Sequence, residues 1–206
     1  QSLALINKNV SEFMQSIPNV NRKVIVLVLG STGAGKSTFL NFMNGCTMTR
    51  MKRNEDRYEF QIEVAQDSKV PAKVKIGHGI SSETSVPCIV ENDGVIYCDC
   101  PGFFDNRSFE NEISNAIVLS KLCALTKGVK IILLAEKSAL ESQRAVLAKS
   151  LNSVFTQVFG QTRSLEEYSD SVMFGVTKIP DDYTMKNLIF HLQQTSLPSF
   201  PAERLF

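Results

Sequence analysis

A chain of 206 residues, 43% of them hydrophobic, is long enough for one domain with its own core and contains no apolar run of membrane-spanning length. Its 22 basic and 21 acidic residues leave a net charge of +1, which gives no electrostatic footprint for nucleic acid. The five cysteines are odd in number and include no C-x-x-C pair, so they point to neither a disulfide framework nor a zinc site; a reducing, cytoplasmic compartment fits them best.

Leu3, Ile6, Val10, Phe13, Met14 and Ile17 recur at helical spacing, so residues 1–20 read as an amphipathic helix closed by Pro18, its apolar side free to pack on the domain that follows, the preferred reading, or on a partner. Residues 23–29 form an unbroken β-branched and leucine run, the pattern of a strand buried on both faces of a parallel sheet. A glycine-rich turn and a helix over 36–44 follow, with Gly45 as its stop. Alternation over 58–65 and 72–76 predicts an added hairpin, and 77–85 an irregular loop. The cluster Arg50, Lys52, Arg53 and Arg57, diluted by Glu55, Asp56 and Glu59, reads as a solvated surface segment. Residues 86–90 and 95–98 are short strands joined by Asn92-Asp93-Gly94, a hairpin signal. Cys98 and Cys100 sit two apart on that second strand, a poor spacing for a disulfide.

Helix and strand then alternate: helices over 109–125, 140–159 and 185–194, strands over 129–135 and 171–176. This pattern predicts an α/β fold, a mostly parallel sheet with one antiparallel strand and helices on both faces. The start at Gln1 and the proline-containing end read as the boundaries of a piece of a longer chain, with residues 21–206 forming one domain.

The chemistry concentrates in Gly30-Ser31-Thr32-Gly33-Ala34-Gly35-Lys36-Ser37, which matches the phosphate-loop pattern G-x-x-x-x-G-K-S/T and is followed by Thr38. Glycines permit angles at which successive N–H groups face inward, and the helix N-terminus behind them favours an anion. Lys36 adds a full positive charge for β- and γ-phosphates, and the Ser37 hydroxyl is small enough to ligate Mg²⁺. The loop leaves a buried strand and opens a helix, the context that phosphate cradling requires.

Downstream, Asp99-Cys100-Pro101-Gly102 ends an apolar strand in D-x-x-G. A carboxylate at that strand tip can hold Mg²⁺, and the N–H of Gly102 can meet a γ-phosphate. The loop His78-Gly79-Ile80-Ser81-Ser82-Glu83-Thr84-Ser85 supplies hydroxyls that can complete the metal shell; Thr84 is the choice, with Ser82 and Ser85 as rivals. His78 reads as a solvated loop residue rather than a general base.

These segments in this order resemble the Ras-like G domains of the translation-factor-related GTPases, from about residue 24 to 194. Asp99-Cys100-Pro101-Gly102-Phe103 is similar to the D-x-P-G-F string of septins and septin-like immunity-associated GTPases. The resemblance implies a three-layer P-loop fold, GTP or GDP as ligand, Mg²⁺ as cofactor and β–γ phosphoanhydride hydrolysis. It also implies a homodimer through the nucleotide face, and Lys36, Thr84 and Gly102 as the groups around the γ-phosphate. The family's base-reading motif, N-K-x-D or T-K-x-D, corresponds to Thr177-Lys178-Ile179-Pro180-Asp181-Asp182. Thr177 and Lys178 match; Pro180 stands where the aspartate belongs, so Asp181 or Asp182 would substitute if the loop bulges. Phe103 occupies the place of the glutamine that orients water in many relatives and cannot hydrogen-bond, which implies slow hydrolysis unless a partner or second subunit contributes groups.

Three readings therefore stand. The first is a Mg²⁺-dependent GTPase acting as a switch, and the second a nucleotide-binding assembly module that does not hydrolyse. The third is an ATPase of another P-loop class. Gly33-Ala34-Gly35-Lys36-Ser37-Thr38 is similar to the ABC-transporter loop, but no L-S-G-G-Q string follows and no glutamate adjoins Asp99.

Overall fold

A computed structural model describes residues 2–17, 20–54, 57–77, 87–100, 109–138, 170–180, 182–184 and 186–187. The chain begins with α1 (Ser2–Ser16), then β1 (Val24–Gly30) and α2 (Lys36–Met43). Next come β2 (Met48–Asn54), β3 (Arg57–Val64), β4 (Cys88–Asn92) and β5 (Val95–Asp99). Then follow α3 (Phe109–Leu125), β6 (Gly128–Glu136) and β7 (Val172–Thr177). The expected helices over 140–159 and 185–194 lie outside the described residues or nearly so.

β1 offers water no polar side, and every residue in it except Val24 is buried. It takes the middle of the sheet, whose order is β4-β5-β1-β6-β7. β1 runs parallel to β5 and to β6, and β6 runs parallel to β7. β4 alone among these strands is antiparallel, returning into β5 through Asp93 (φ 49°) and Gly94 (φ 76°). Two consecutive left-handed residues are what the tight hairpin turn matching strand twist requires.

Strand alternation sorts the core into two halves. Ile25, Leu27, Leu29, Ile96, Cys98, Ile131 and Leu133 face α1 and α3, meeting Ile6, Val10, Phe13, Val118, Leu119 and Leu122. Val26, Val28, Val90, Ile132 and Leu134 face the other way, towards Leu40 of α2 and Val74. Helices on both faces of a mostly parallel sheet make the α/β, three-layer P-loop architecture that the alternating pattern predicts. The apolar side of α1 packs on α3, and Ser2 Oγ donates to Glu110 Oε1 at 2.8 Å.

The added hairpin is real but built from other residues. β3 pairs antiparallel with β2, not with 72–76, and residues 65–77 contain no strand. The basic residues read as a surface segment fall on this hairpin, Arg50, Lys52 and Arg53 on β2 and Arg57 on β3, outside the main sheet in a two-stranded ribbon. Met51 is 47% exposed and Ile62 39%, and while the β3 sequence alternates, Met48–Asn54 of β2 shows no such pattern.

Residues 72–76 fail as a strand because a side chain claims their backbone. Asn41, fully buried on α2, donates from Nδ2 to the Val74 carbonyl at 2.7 Å. Its Oδ1 accepts from the N–H groups of Lys73 at 2.9 Å and Val74 at 3.2 Å. One amide thus satisfies three backbone groups that would otherwise pair in a ladder. Asn41→Ala is expected to lower the unfolding free energy by about 2 kcal/mol, since those groups would lose their partners in a largely dry site. Urea denaturation measures it; a loss below roughly 0.5 kcal/mol would mean water replaces the amide.

Candidate functional site

The C-terminal ends of β1, β5, β6 and β7 meet at one rim, and the loop between β1 and α2 fills it. Gly30 closes β1 at φ 151°, and a side chain there would run into the Leu134 carbonyl of β6. The loop then turns tightly, with the Ala34 N–H donating to the Ser31 carbonyl at 3.1 Å. Gly35 precedes α2 in the left-handed region, φ 83°, and offers no capping side chain to the N–H groups of the first turn. An uncapped helix start behind a glycine-rich turn can take an anion.

Lys36 is buried, and its Nζ donates to the carbonyls of Gly30 and Ser31, each at 3.0 Å. The cation is thereby folded over its own loop. Beside it, Ser37 Oγ donates to Asp99 Oδ2 at 2.9 Å, joining α2 to the tip of β5. Asp99 is fully buried, and its other oxygen, Oδ1, has no hydrogen-bond partner among the described residues. Burial pushes its carboxyl above the ordinary aspartate value, while the Ser37 hydroxyl and the Lys36 cation pull the other way. A buried carboxylate with an open oxygen next to a serine hydroxyl is a donor set that fits a hard divalent cation such as Mg²⁺. Within the loop, Ser31 and Gly33 are exposed, Thr38 is half-buried, and the Thr32 hydroxyl is buried without a partner among the described residues.

The residues expected to read the base reach the same rim. Thr177 Oγ1 donates to the Ala34 carbonyl at 2.9 Å, with the Ala135 carbonyl 3.4 Å away, so β7 is stitched to the phosphate loop. Lys178 follows at φ 55°, and its Nζ lies 2.7 Å from Glu136 Oε2 at the end of β6. That ammonium is 3.9 Å from where a Cβ on Gly33 would stand. Pro180 is exposed, and Asp182 lies in an exposed turn. Asp181, Thr84, Gly102, His78 and Phe103 lie outside the described residues.

The structure therefore brings together Lys36, Ser37 and Asp99 on one side of the loop, and Thr177 and Lys178 on the other. Two participants are absent from the sequence reading. Asn41 gives no signal beyond a polar residue within an apolar helix face. Glu136 gives a weak one, as the acid directly after the apolar run 131–135.

The sheet order, the loop and its helix define an α/β P-loop domain. No protein-family model matches the chain, and no curated protein does. Among solved structures the chain is similar to the G domain of the T. maritima FeoB iron transporter, at 10% sequence identity and a TM-score of 0.24. The likeness covers 84% of this chain and 99% of that one, and at that TM-score it carries no weight beside the sheet order and the loop itself. No helix among the described residues is long and apolar enough to cross a membrane, and the five cysteines are free thiols.

Proposed function

We propose that the chain binds a guanine nucleoside triphosphate with Mg²⁺ on residues 30–38 and hydrolyses it slowly, working as a nucleotide-dependent switch or assembly module. The observation that carries this reading is the Ser37–Asp99 contact at 2.9 Å, with Asp99 Oδ1 left unpartnered among the described residues. A structural hydrogen bond alone would have no use for a second buried oxygen without a donor.

Each residue then has a task. The backbone of Gly30, Ser31, Thr32, Gly33, Ala34 and Gly35 wraps the phosphates, with Thr38 behind in the first turn of α2. Lys36 places its charge against the β- and γ-oxygens, where negative charge accumulates as the phosphoanhydride breaks. Ser37 and Asp99 would hold Mg²⁺, whose charge neutralises the β- and γ-oxygens when bound, and Thr84 and the Gly102 N–H would complete the shell around the γ-phosphate. Thr177 fixes the base-side wall to the loop, Lys178 lies along the base, and Asp181 takes the guanine N–H donors. The D-x-P-G-F string supports membership of the septin-like branch, and with it a homodimer through the nucleotide face. The free thiols suit a reducing, cytoplasmic compartment.

Phe103 favours a second reading, a module that binds the triphosphate without cleaving it, because no side chain there can orient water. Competition against fluorescent GDP separates the base question, and phosphate release at increasing protein concentration separates the chemistry. GTP is expected to displace the probe at least about 100-fold better than ATP. Release per molecule is expected to rise with protein concentration as the nucleotide faces pair. Equal displacement by ATP would remove the guanine assignment. Bound nucleotide with no release at any concentration would leave only the second reading.

A further inference from the structure

Pro180 removes the acid expected four residues into the Thr177 motif, yet an acidic side chain still stands at the base-side wall. Glu136 is the last residue of β6, and the parallel register places it beside Thr177 of β7. Its carboxylate meets the Lys178 ammonium at 2.7 Å. Lys178 itself adopts φ 55°, a left-handed conformation that costs a non-glycine residue on the order of 1–2 kcal/mol. Such a backbone persists where its surroundings fix it. Here Thr177 is tied to the Ala34 carbonyl on one side, and Glu136 takes the end of the lysine on the other.

We propose that Glu136 is a positioning residue for the nucleotide base: it anchors the Lys178 ammonium beside Gly33, so that the lysine stem lies as a fixed platform for a purine ring. This rests on the guanine-nucleotide reading above. The pair is 58% exposed on the lysine side and 30% on the glutamate side, and surface pairs of that kind add little to folding stability. What the pair does supply is order. A free lysine carries several rotamers, and freezing them when ligand arrives subtracts from affinity, whereas a lysine already held does not impose that loss. The carboxylate also neutralises the ammonium, which leaves Lys36 as the cation committed to the phosphates.

Glu136→Gln keeps the shape and removes the charge. In titrations with fluorescent GDP, E136Q is expected to bind about 10-fold more weakly than wild type. Displacement of the probe by inorganic tripolyphosphate, which has no base, reports the phosphate subsite alone, and its constant should stay within about twofold. The melting temperature should stay within about 2 °C. E136D should recover part of the loss, and E136Q combined with K178A should be no weaker than K178A alone, because one interaction cannot be removed twice. Wild-type affinity in E136Q would overturn the proposal while leaving the guanine reading intact. An equal loss for tripolyphosphate would overturn it as well, since the defect would then lie in the loop. Wild type that binds tripolyphosphate but no guanine nucleotide would overturn both.

Discussion

Lys36→Ala is expected to weaken Mg²⁺·GTP binding by at least about 100-fold, with the domain still folded. The loss follows from charge. A buried cation facing the β- and γ-phosphates is the partner in a largely desolvated ion pair, and truncating one member of such a pair costs about 3–5 kcal/mol. Folding is spared because the amine, buried at the rim, is held by the loop's own Gly30 and Ser31 carbonyls and does not join the two apolar core clusters. Removing it also relieves the desolvation of a buried charge in the empty protein. Fluorescent-nucleotide titration beside a thermal melt checks both halves. Unchanged affinity would remove Lys36 from the site, and an unfolded variant would show the lysine to be structural.

Asp99→Asn is expected to separate binding from stability. The asparagine oxygen can still accept the Ser37 hydroxyl, so the α2–β5 link survives. The charge that attracts a divalent cation does not. Nucleotide affinity in the variant should become independent of Mg²⁺, while the empty protein should melt higher, by about 2–4 °C for each kcal/mol regained in a domain of this size. The sign follows from burial, which holds the Asp99 pKa above its ordinary value in the folded state. The folded protein then takes up protons that the unfolded chain does not, so this group's stability contribution falls as pH rises from the unfolded pKa through the folded one. The gain in D99N should therefore be full at neutral pH and fade as pH drops through the carboxylate range. Mg²⁺-dependent binding by wild type should fail over the upper part of that same window, at a pH where an ordinary aspartate would still be ionised. A variant that melts lower than wild type would mean the carboxylate is a structural acceptor first.

The phosphate loop was legible because its requirements are local. Glycines at fixed offsets, one lysine and one serine can be recognised without knowing what surrounds them, and the buried run of β1 says where they stand. The parallel sheet was legible for a similar reason: β1 and β6 are apolar on both faces and have no other place to go. Of the β2–β3 ribbon only half was: β3 alternates and reads as a strand, but Met48–Asn54 of β2 carries no alternation to name it as its partner. Asn41 was not, because only the folded chain brings residues 73 and 74 within reach of its amide. Thr177 was placed by its motif, but its bond to Ala34 spans 143 residues and belongs to the fold. Glu136 escaped for the same cause: its tie to Lys178 exists only in the register of β6 against β7.

The central claim is that residues 30–38, with Asp99, hold a nucleoside triphosphate and Mg²⁺. Titration of the wild-type protein with fluorescent GTP, with and without Mg²⁺, tests it most directly. Saturable binding at about micromolar concentration or tighter, strengthened at least about 10-fold by Mg²⁺, is the predicted result. Absence of saturable binding in both conditions by the folded protein would contradict it.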